Sequence, residues 1–304
     1  MNHWNTFAFC LHSWREFVAF LGLVVVCTFP ADATKSQAAK SVTYAWAASM
    51  AEDERGQYPI SLLKLALSKS GVAYAAKPSK HDMPQWRTLR HVQMGKELDV
   101  VWTFTSPERE RDLLPIRIPI DRGLLGWRLL LVNRSDLDYF ARLESADQLK
   151  ALRSGQGHDW PDFPILQANG FNVTPSSSYQ GLFAMLERGR IRYFPRSVTE
   201  IQAEVDAHKK QAFAIAPRWV IYYPAPLYFF VKKDNHALAQ AIERGLTIAM
   251  KDGSMRQLFV RHFGNMIKQA QLDKREVITI RNPQLSEQTP LLKTELWFSP
   301  VLGF

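Results

Sequence analysis

The chain has 304 residues, 46% of them hydrophobic, which is enough for one large domain or two smaller ones. Its formal net charge is +9, but the basic residues are scattered without a run of five or more Lys or Arg, which argues against nucleic acid as the partner. Both cysteines, Cys10 and Cys27, lie within the first 33 residues, so the rest of the chain can form no disulfide and offers no thiolate.

Residues 1–33 are predicted to be a secretory signal peptide. Arg15 precedes an apolar run over 17–28, and Ala31-Asp-Ala33 has the small-x-small form of a cleavage site. The alternative is an uncleaved membrane anchor, but a run of about 12 residues is short for a bilayer. We favour cleavage, and an exported chain without disulfides favours the periplasm.

The first part of the chain alternates strand and helix signals. Apolar residues Ile60, Leu63 and Leu67 share one helical face, and Gly71 ends that helix. The alternation predicts an α/β fold in which helices cover both faces of a mostly parallel sheet. The predicted elements are strands at 42–47, 72–76 and 99–103 and helices at 58–69 and 84–95.

The second part continues this alternation after a break at 122–126. Arg122, Gly123 and Gly126 there form either a hinge or a plain turn. The segment 219–231 is aromatic and β-rich but holds two prolines, as expected of a chain that crosses between lobes. The predicted elements are strands at 127–133, 171–174 and 277–280 and helices at 146–152, 165–170, 179–188, 198–208, 237–251 and 254–263.

Arg109 is the first candidate binding residue. It follows a strand and a Thr/Ser cluster, and it lies just inside a predicted helix start, where free backbone N–H groups also attract a carboxylate. Thr103 and Thr105 can add hydroxyl donors. The alternative is an ordinary solvated helix face, because acidic and basic residues surround Arg109 on both sides.

The segment 154–162 is the second candidate. Gly155 and Gly157 allow backbone N–H groups to approach a ligand, although a simple glycine-rich turn explains them too. The neighbouring His158, Asp159 and Asp162 have poor metal-ligand spacing, so we expect no metal site. No phosphate-binding glycine motif occurs. Trp46, Trp102 and Trp160 are candidates for stacking on a ligand, with core packing as the alternative.

Four motifs follow one another between residues 42 and 265. They are Ser106-Pro-Glu-Arg109, the loop at 149–157, Met185-Leu-Glu-Arg-Gly-Arg-Ile191, and a closing segment with Tyr228-Phe-Phe-Val-Lys-Lys233 and Lys251-Asp-Gly253. In this order they resemble the family 3 solute-binding proteins of polar amino-acid transporters, which have the type 2 periplasmic binding fold. The resemblance implies that Arg109 holds a ligand carboxylate and that backbone N–H groups at 149–157 face the ligand.

The resemblance also implies the architecture: two α/β lobes with mixed, mostly parallel sheets and a ligand cleft between the lobes. Lobe 1 would comprise residues 40–122 and 226–270, and lobe 2 residues 123–225. The tail at 271–304 would pack on one lobe.

The sequence departs from the family after Gly189-Arg-Ile191. An Asp of the family pairs with the ligand's ammonium group there, whereas Arg196 or Ser197 takes about that position in this chain. A second cation in the cleft would disfavour an ammonium group and favour an anion. Glu200, about one helical turn later, offers the opposite preference.

We therefore expect a periplasmic, monomeric solute-binding protein without cofactor or metal. It would capture a small carboxylate-bearing solute, an amino acid or an organic anion, by hinge closure, and present it to an ABC-transporter permease or a membrane sensor. Two alternatives stay open. One is an envelope signalling or interaction protein that keeps the fold and has lost solute binding. The other is a periplasmic dehydratase or lyase with Glu200 or Asp159 as acid or base.

Overall fold

The structure is a computed structural model that describes residues 39–46 and 54–301. The predicted signal peptide lies outside these residues, and so does the side chain of Trp46. Within the described part, no helix has both the length and the apolar character needed to cross a bilayer.

Twelve strands are formed by the described residues. They are β1 (Lys40–Trp46), β2 (Tyr74–Asp82), β3 (Val100–Phe104), β4 (Leu113–Ile116), β5 (Trp127–Asn133), β6 (Ser154–Gly157), β7 (Val173–Ser176), β8 (Phe194–Ser197), β9 (Phe213–Ile215), β10 (Trp219–Tyr222), β11 (Leu227–Lys232) and β12 (Glu276–Thr279).

Ten α-helices accompany these strands in the described part of the chain. They are α1 (Glu54–Lys69), α2 (Gln85–Met94), α3 (Pro107–Asp112), α4 (Leu137–Ala141), α5 (Ala146–Ala151), α6 (Asp162–Ala168), α7 (Tyr179–Glu187), α8 (Ile201–Ala207), α9 (His236–Lys251) and α10 (Ser254–Ala270).

The first sheet has the strand order β2-β1-β3-β11-β4. Its early strands β2, β1 and β3 are parallel, because a helix returns the chain between each of them and the next. β11 comes from much later in the chain and lies antiparallel between β3 and β4. Leu227 at the start of β11 consequently pairs with Phe104 at the end of β3.

The second sheet has the order β12-β10-β5-β8, and β9 also pairs with β5. β5 is central, and only its last residue, Asn133, is not buried. β6 and β7 form a small parallel sheet, which a bridge from Ser154 to Tyr193 joins to the chain just before β8.

Both main sheets are mixed, as the predicted fold class requires. The alternation of strands and helices in the sequence predicts mostly parallel pairing. Of the nine pairings between the described strands, however, five are antiparallel. The reason is that one strand in each sheet runs against its neighbours: β5 is antiparallel to β8, β9 and β10, and β11 is antiparallel to β3 and β4.

The chain passes from the first sheet to the second between β4 and β5, and returns between β10 and β11. These two crossings touch each other: the N–H of Tyr223 donates to the carbonyl of Gly126 at 3.3 Å. A Cβ atom on Gly126 would lie 2.0 Å from the carbonyl oxygen of Tyr223, so the close approach of the backbones requires glycine. The lobe boundaries stay a prediction.

The tail adds a third passage between the sheets. After α10, β12 pairs in parallel with β10 at the edge of the second sheet. The chain then reaches the first crossing, where the N–H of Phe298 donates to the carbonyl of Arg122 at 2.8 Å. The ring of Trp297 packs against Gly123 on the same crossing. The tail therefore contacts the segment for which the sequence leaves a hinge and a plain turn open.

Candidate functional site

A cleft of about 370 Å³ opens beside the first crossing. Its volume lies within the range typical of small-molecule sites. The lining combines aromatic and aliphatic side chains with two carboxylates and several hydrogen-bonding groups: Gly56, Tyr58, Pro59, Gln85, Trp102, Thr103, Phe104, Asp121, Leu125, Thr199, Glu200, Leu227 and Phe263.

Both main sheets contribute to this lining. Trp102 and Thr103 belong to the end of β3 in the first sheet. Thr199 and Glu200 follow directly after β8 of the second sheet, at the start of α8. Asp121 lies on the crossing that joins the sheets. A solute held here would therefore contact both halves of the molecule.

Asp121 is the first of the two carboxylates. It is 2% exposed, and it accepts hydrogen bonds from the N–H groups of Gly123 at 3.1 Å and Leu125 at 3.0 Å. Burial raises the pKa of Asp121 to about 6, although these backbone donors oppose the shift. Asp121 is consequently ionised at neutral pH and takes up a proton under mildly acidic conditions.

Glu200, the second carboxylate, belongs to an ion cluster that extends into the second sheet. Its Oε2 lies 3.0 Å from Nη2 of Arg196 and 3.8 Å from Nη1 of Arg128. Arg196 also pairs with Glu204 at 2.6 Å, and Arg128 pairs with Asp162 at 2.7 Å. Three carboxylates thus face two guanidinium groups, and Glu200 is the member of the cluster that lines the cleft.

Arg196, predicted as a cation facing the ligand, is buried and paired with carboxylates of the protein. It is only 5% exposed, and its guanidinium lies 5.0 Å from the ring centroids of Trp160 and Phe194. Burial lowers its pKa, but Glu200 and Glu204 outweigh that effect and raise the pKa above its ordinary value. Its charge is therefore balanced inside the protein, and Arg196 does not line the cleft.

The neighbouring Ser197 supports the cleft without lining it. Ser197 is fully buried, and its hydroxyl oxygen lies 3.0 Å from the hydroxyl oxygen of Thr199. The same oxygen of Ser197 accepts a hydrogen bond from the backbone N–H of Thr199 at 3.2 Å. Thr199 itself borders the cleft.

Arg109 lies in α3, whose N-terminus is capped by Ser106. Its Nη1 donates to the carbonyl oxygen of Phe104 at 2.6 Å. The side chain borders a separate cavity of about 230 Å³ between α2 and α3, which Trp86 and Arg90 also line. Arg109 therefore lies near the end of β3, where it lines this separate cavity and not the cleft.

Thr105, the hydroxyl donor predicted beside Arg109, is used within the fold. It is 6% exposed and donates to Oε1 of Glu110, whose other oxygen pairs with Arg117 at 2.6 Å. Thr103, in contrast, lines the cleft and accepts a hydrogen bond from the amide of Gln85 at 3.2 Å.

Gly155 and Gly157 form part of β6 and are buried. A Cβ atom at Gly155 would lie 2.5 Å from Cδ1 of Ile191, and one at Gly157 would lie 2.5 Å from the ring of Trp160. Close side-chain packing explains both glycines. Neither they nor Trp160 line the cleft.

The segment after β6 holds His158, Asp159 and Asp162, which are candidate metal ligands from the sequence alone, with Asp159 also a candidate catalytic acid or base. Among the described residues, no group of three His, Cys, Asp or Glu side chains has metal-binding geometry. His158 and Asp159 are exposed and lie 3.7 Å apart. Asp162 is instead a buried partner of Arg128 and of the Tyr223 hydroxyl.

Sequence reasoning found Trp102, Thr103 and Glu200 among the cleft residues and missed Asp121 and Tyr58. Tyr58 is buried, and its hydroxyl donates to the carbonyl oxygen of Ile120 at 2.6 Å, which ties α1 to the crossing. Periodicity marks Tyr58 only as a helix residue. Asp121 precedes Arg122-Gly123, a pattern that signals a turn and carries no information on the cleft.

No protein-family model matches the chain, and no curated protein matches it. Solved structures match it in fold. The probable amino-acid ABC transporter extracellular-binding protein of Bacillus subtilis has a TM-score of 0.54 and 17% identity, covering 75% of this chain and 99% of that one. The chain has the type 2 periplasmic binding fold.

Two arginine-binding proteins support the same conclusion. An ancestral arginine-binding protein bound to arginine has a TM-score of 0.52 and 20% identity, covering 75% of this chain and 100% of that one. The arginine-specific periplasmic binding protein of Salmonella typhimurium has a TM-score of 0.51 and 19% identity, covering 73% of this chain and 99% of that one. The predicted fold class is confirmed, and these neighbours are binding proteins rather than enzymes.

Proposed function

We propose that the protein is an exported solute-binding protein that closes on a small organic molecule in the cleft. The observation that carries the proposal is that Trp102 and Thr103 of the first sheet line one cavity with Thr199 and Glu200, which follow strand β8 of the second sheet. A ligand that contacts both halves stabilises the closed state relative to the open one. The closed, monomeric protein would then present its ligand to an ABC-transporter permease or a membrane sensor.

The charges of the cleft favour a solute with an ammonium or guanidinium group. Asp121 and Glu200 are the ionisable acids on the lining, and none of the described residues that line it is a Lys or Arg. Trp102, Phe104 and Tyr58 add aromatic faces, which attract cations. The sequence interpretation favours an anion because of Arg196. In the structure Glu200 and Glu204 pair with Arg196, and the cluster of three carboxylates and two guanidinium groups keeps one formal negative charge beside the cleft.

The sequence also predicts that the solute carries a carboxylate, which Arg109 would bind. Arg109 borders the neighbouring cavity and not the cleft, but its guanidinium donates to the carbonyl oxygen of Phe104, which is a lining residue of the cleft. The cationic side chain of an amino acid would face the acidic lining, and its carboxylate would bind Arg109 once that guanidinium turns from Phe104 towards the cleft. A purely anionic solute would instead be repelled by Asp121 and Glu200. Arginine is therefore the first compound to test, and two of the similar solved structures are arginine-binding proteins.

A ligand panel with matched variants tests this proposal. We would measure thermal stabilisation by arginine, lysine, agmatine (the decarboxylated form of arginine) and succinate. We expect stabilisation by at least one cationic compound and none by succinate. Glu200→Gln should weaken binding about tenfold or more, the range for a hydrogen bond to a charged group. Glu187→Gln, an exposed change at the end of α7, should leave binding unchanged.

The results separate the role of each end of the ligand. If arginine binds and agmatine does not, the carboxylate is required, and Arg109→Ala should then abolish arginine binding. If succinate binds and the cationic compounds do not, the proposed ligand class is wrong.

One observation favours a second candidate, an envelope signalling or interaction protein that has lost solute binding. The tail residues Trp297 and Phe298 contact Gly123 and Arg122 on the first crossing, where closure would have to bend the chain. If no compound of a broad solute panel stabilises either the wild type or a Trp297→Ala variant, this candidate replaces solute capture.

A further inference from the structure

A second cavity, of about 350 Å³, lies between the first crossing, the junction of α9 and α10, and the tail. It shares no lining residue with the cleft. Its apolar surface comes from Ile118, Pro119, Met255 and Leu296, which are buried, and from the half-buried Met250. Methionine side chains are flexible and polarisable, so they adapt to alkyl groups of different shape.

Positive charge dominates the rim of this cavity. Arg122, Lys251 and Arg256 face a single acidic residue, Glu295. Burial lowers the pKa of Arg122, and the nearby charge of Arg256 lowers it further, while Tyr58 acts in the opposite direction. An anion among these side chains would reduce the repulsion between Arg122 and Arg256.

Arg122 has a backbone conformation that favours glycine, with φ at 54°. The tail holds its guanidinium in position, because Nη2 donates to the carbonyl oxygen of Trp297 at 3.2 Å and to that of Glu295 at 3.4 Å. Both of these hydrogen bonds use Nη2, so Nη1 and Nε of Arg122 make neither of the two bonds to the tail. A strained residue held over a cavity is a feature common at ligand sites.

We propose that this cavity binds a small amphipathic anion, of which a medium-chain carboxylate is the simplest example. Its alkyl part would lie against Met250, Met255 and Leu296, and its carboxylate among Arg122 and Arg256. The apolar surface and the basic rim favour such a molecule over a hydrophilic anion and over an amphipathic cation alike. The ligand would contact the crossing, α9–α10 and the tail at once.

The test uses the full chain and octanoate as the probe, with octylammonium and acetate as controls for charge and for the alkyl group. Binding is measured by calorimetry and thermal shift at constant ionic strength. We expect octanoate to bind and stabilise the wild type, and the two controls to have no effect. Trp102→Ala, a change in the cleft, should leave octanoate binding unchanged.

Two variants examine the cavity itself. Arg256→Glu should weaken octanoate binding about tenfold, because it replaces an attraction by a repulsion. Arg261→Glu, on an exposed position of the same helix α10, is the matched control and should bind like the wild type. Met250→Trp should abolish binding by filling the cavity.

Several results would overturn the proposal. These are no octanoate binding to the wild type, equal binding of octylammonium, or an equal loss in Arg256→Glu and Arg261→Glu. Loss of octanoate binding in Trp102→Ala would also overturn it, because octanoate would then occupy the cleft.

Discussion

Replacing Arg196 by methionine distinguishes a structural role for this residue from a ligand-binding one. Methionine keeps much of the apolar stem and removes the charge. In the structure, Nε of Arg196 lies 2.8 Å from both oxygens of Glu204, and Nη2 lies 3.0 Å from Glu200. Glu204 is only 5% exposed, so without Arg196 its charge would be left in the interior with the hydroxyl of Tyr179 as its remaining described donor.

The expected loss follows from this burial. Removing one partner of a buried pair costs about 3–5 kcal/mol, mainly because the other charge is left uncompensated. For a chain of this size that corresponds to a fall in Tm on the order of 10 °C. Adding Glu204→Gln removes the uncompensated charge, so the double variant should regain about 1–3 kcal/mol.

Urea unfolding of the four proteins in this cycle measures the coupling. Arg111→Met is the control, because the pair of Arg111 with Asp112 is exposed, and it should change stability by less than about 0.5 kcal/mol. If Arg196→Met costs no more than about 1 kcal/mol, the value for surface pairs, the structural assignment of Arg196 is wrong.

Further predictions concern the crossing, the core and the tail. Asp121, whose pKa burial raises from 3.8 to about 6, stabilises the fold fully below pH 3.8 and loses that contribution as the pH rises through about 6. In urea unfolding experiments, the free energy of unfolding should therefore change by about 3 kcal/mol between these pH values in the wild type, and Asp121→Asn should remove that dependence. Binding of a cationic ligand to the wild type should weaken as the pH falls below about 6. Gly245→Ala should destabilise by about 1–3 kcal/mol, because its Cβ would lie 1.8 Å from the carbonyl oxygen of Ala66, whereas Gly264→Ala, in the next helix, should be neutral or slightly stabilising. Trp297→Ala should cost about 3–5 kcal/mol, since this tail residue is 8% exposed; an unchanged Tm would contradict the packing of the tail on the crossing.

The sequence predicts the regular elements well where local pattern decides them. The strand predicted at 127–133 coincides with β5, and the segment 219–231, predicted as a crossing chain, contains the passage between the sheets from β10 to β11. The helix predicted at 198–208 begins later, at Ile201, because Ser197 ends β8 and its hydroxyl accepts the N–H of Thr199 in a turn. Helix α10 continues to Ala270, beyond the predicted end at residue 263.

The site is less predictable, because it depends on which charges meet in three dimensions. Arg196 looks like a free cation in the sequence, yet Glu200 and Glu204 lie four and eight residues later and both reach it. Gly155 resembles a ligand-approach residue, but contact with Ile191 explains it. Asp121 lines the cleft only because the crossing folds back beside β3 and β11.

We propose that a solute with a positive charge binds in the cleft through Glu200. The most direct test of this binding is calorimetric titration of arginine and agmatine into the wild type, Glu200→Gln and the control Glu187→Gln. We expect saturable binding of at least one of these compounds to the wild type and the control, and binding about tenfold or more weaker in Glu200→Gln. Equal affinity in all three proteins, or binding of succinate in place of the cationic compounds, would show that Glu200 does not hold a cationic solute in the cleft.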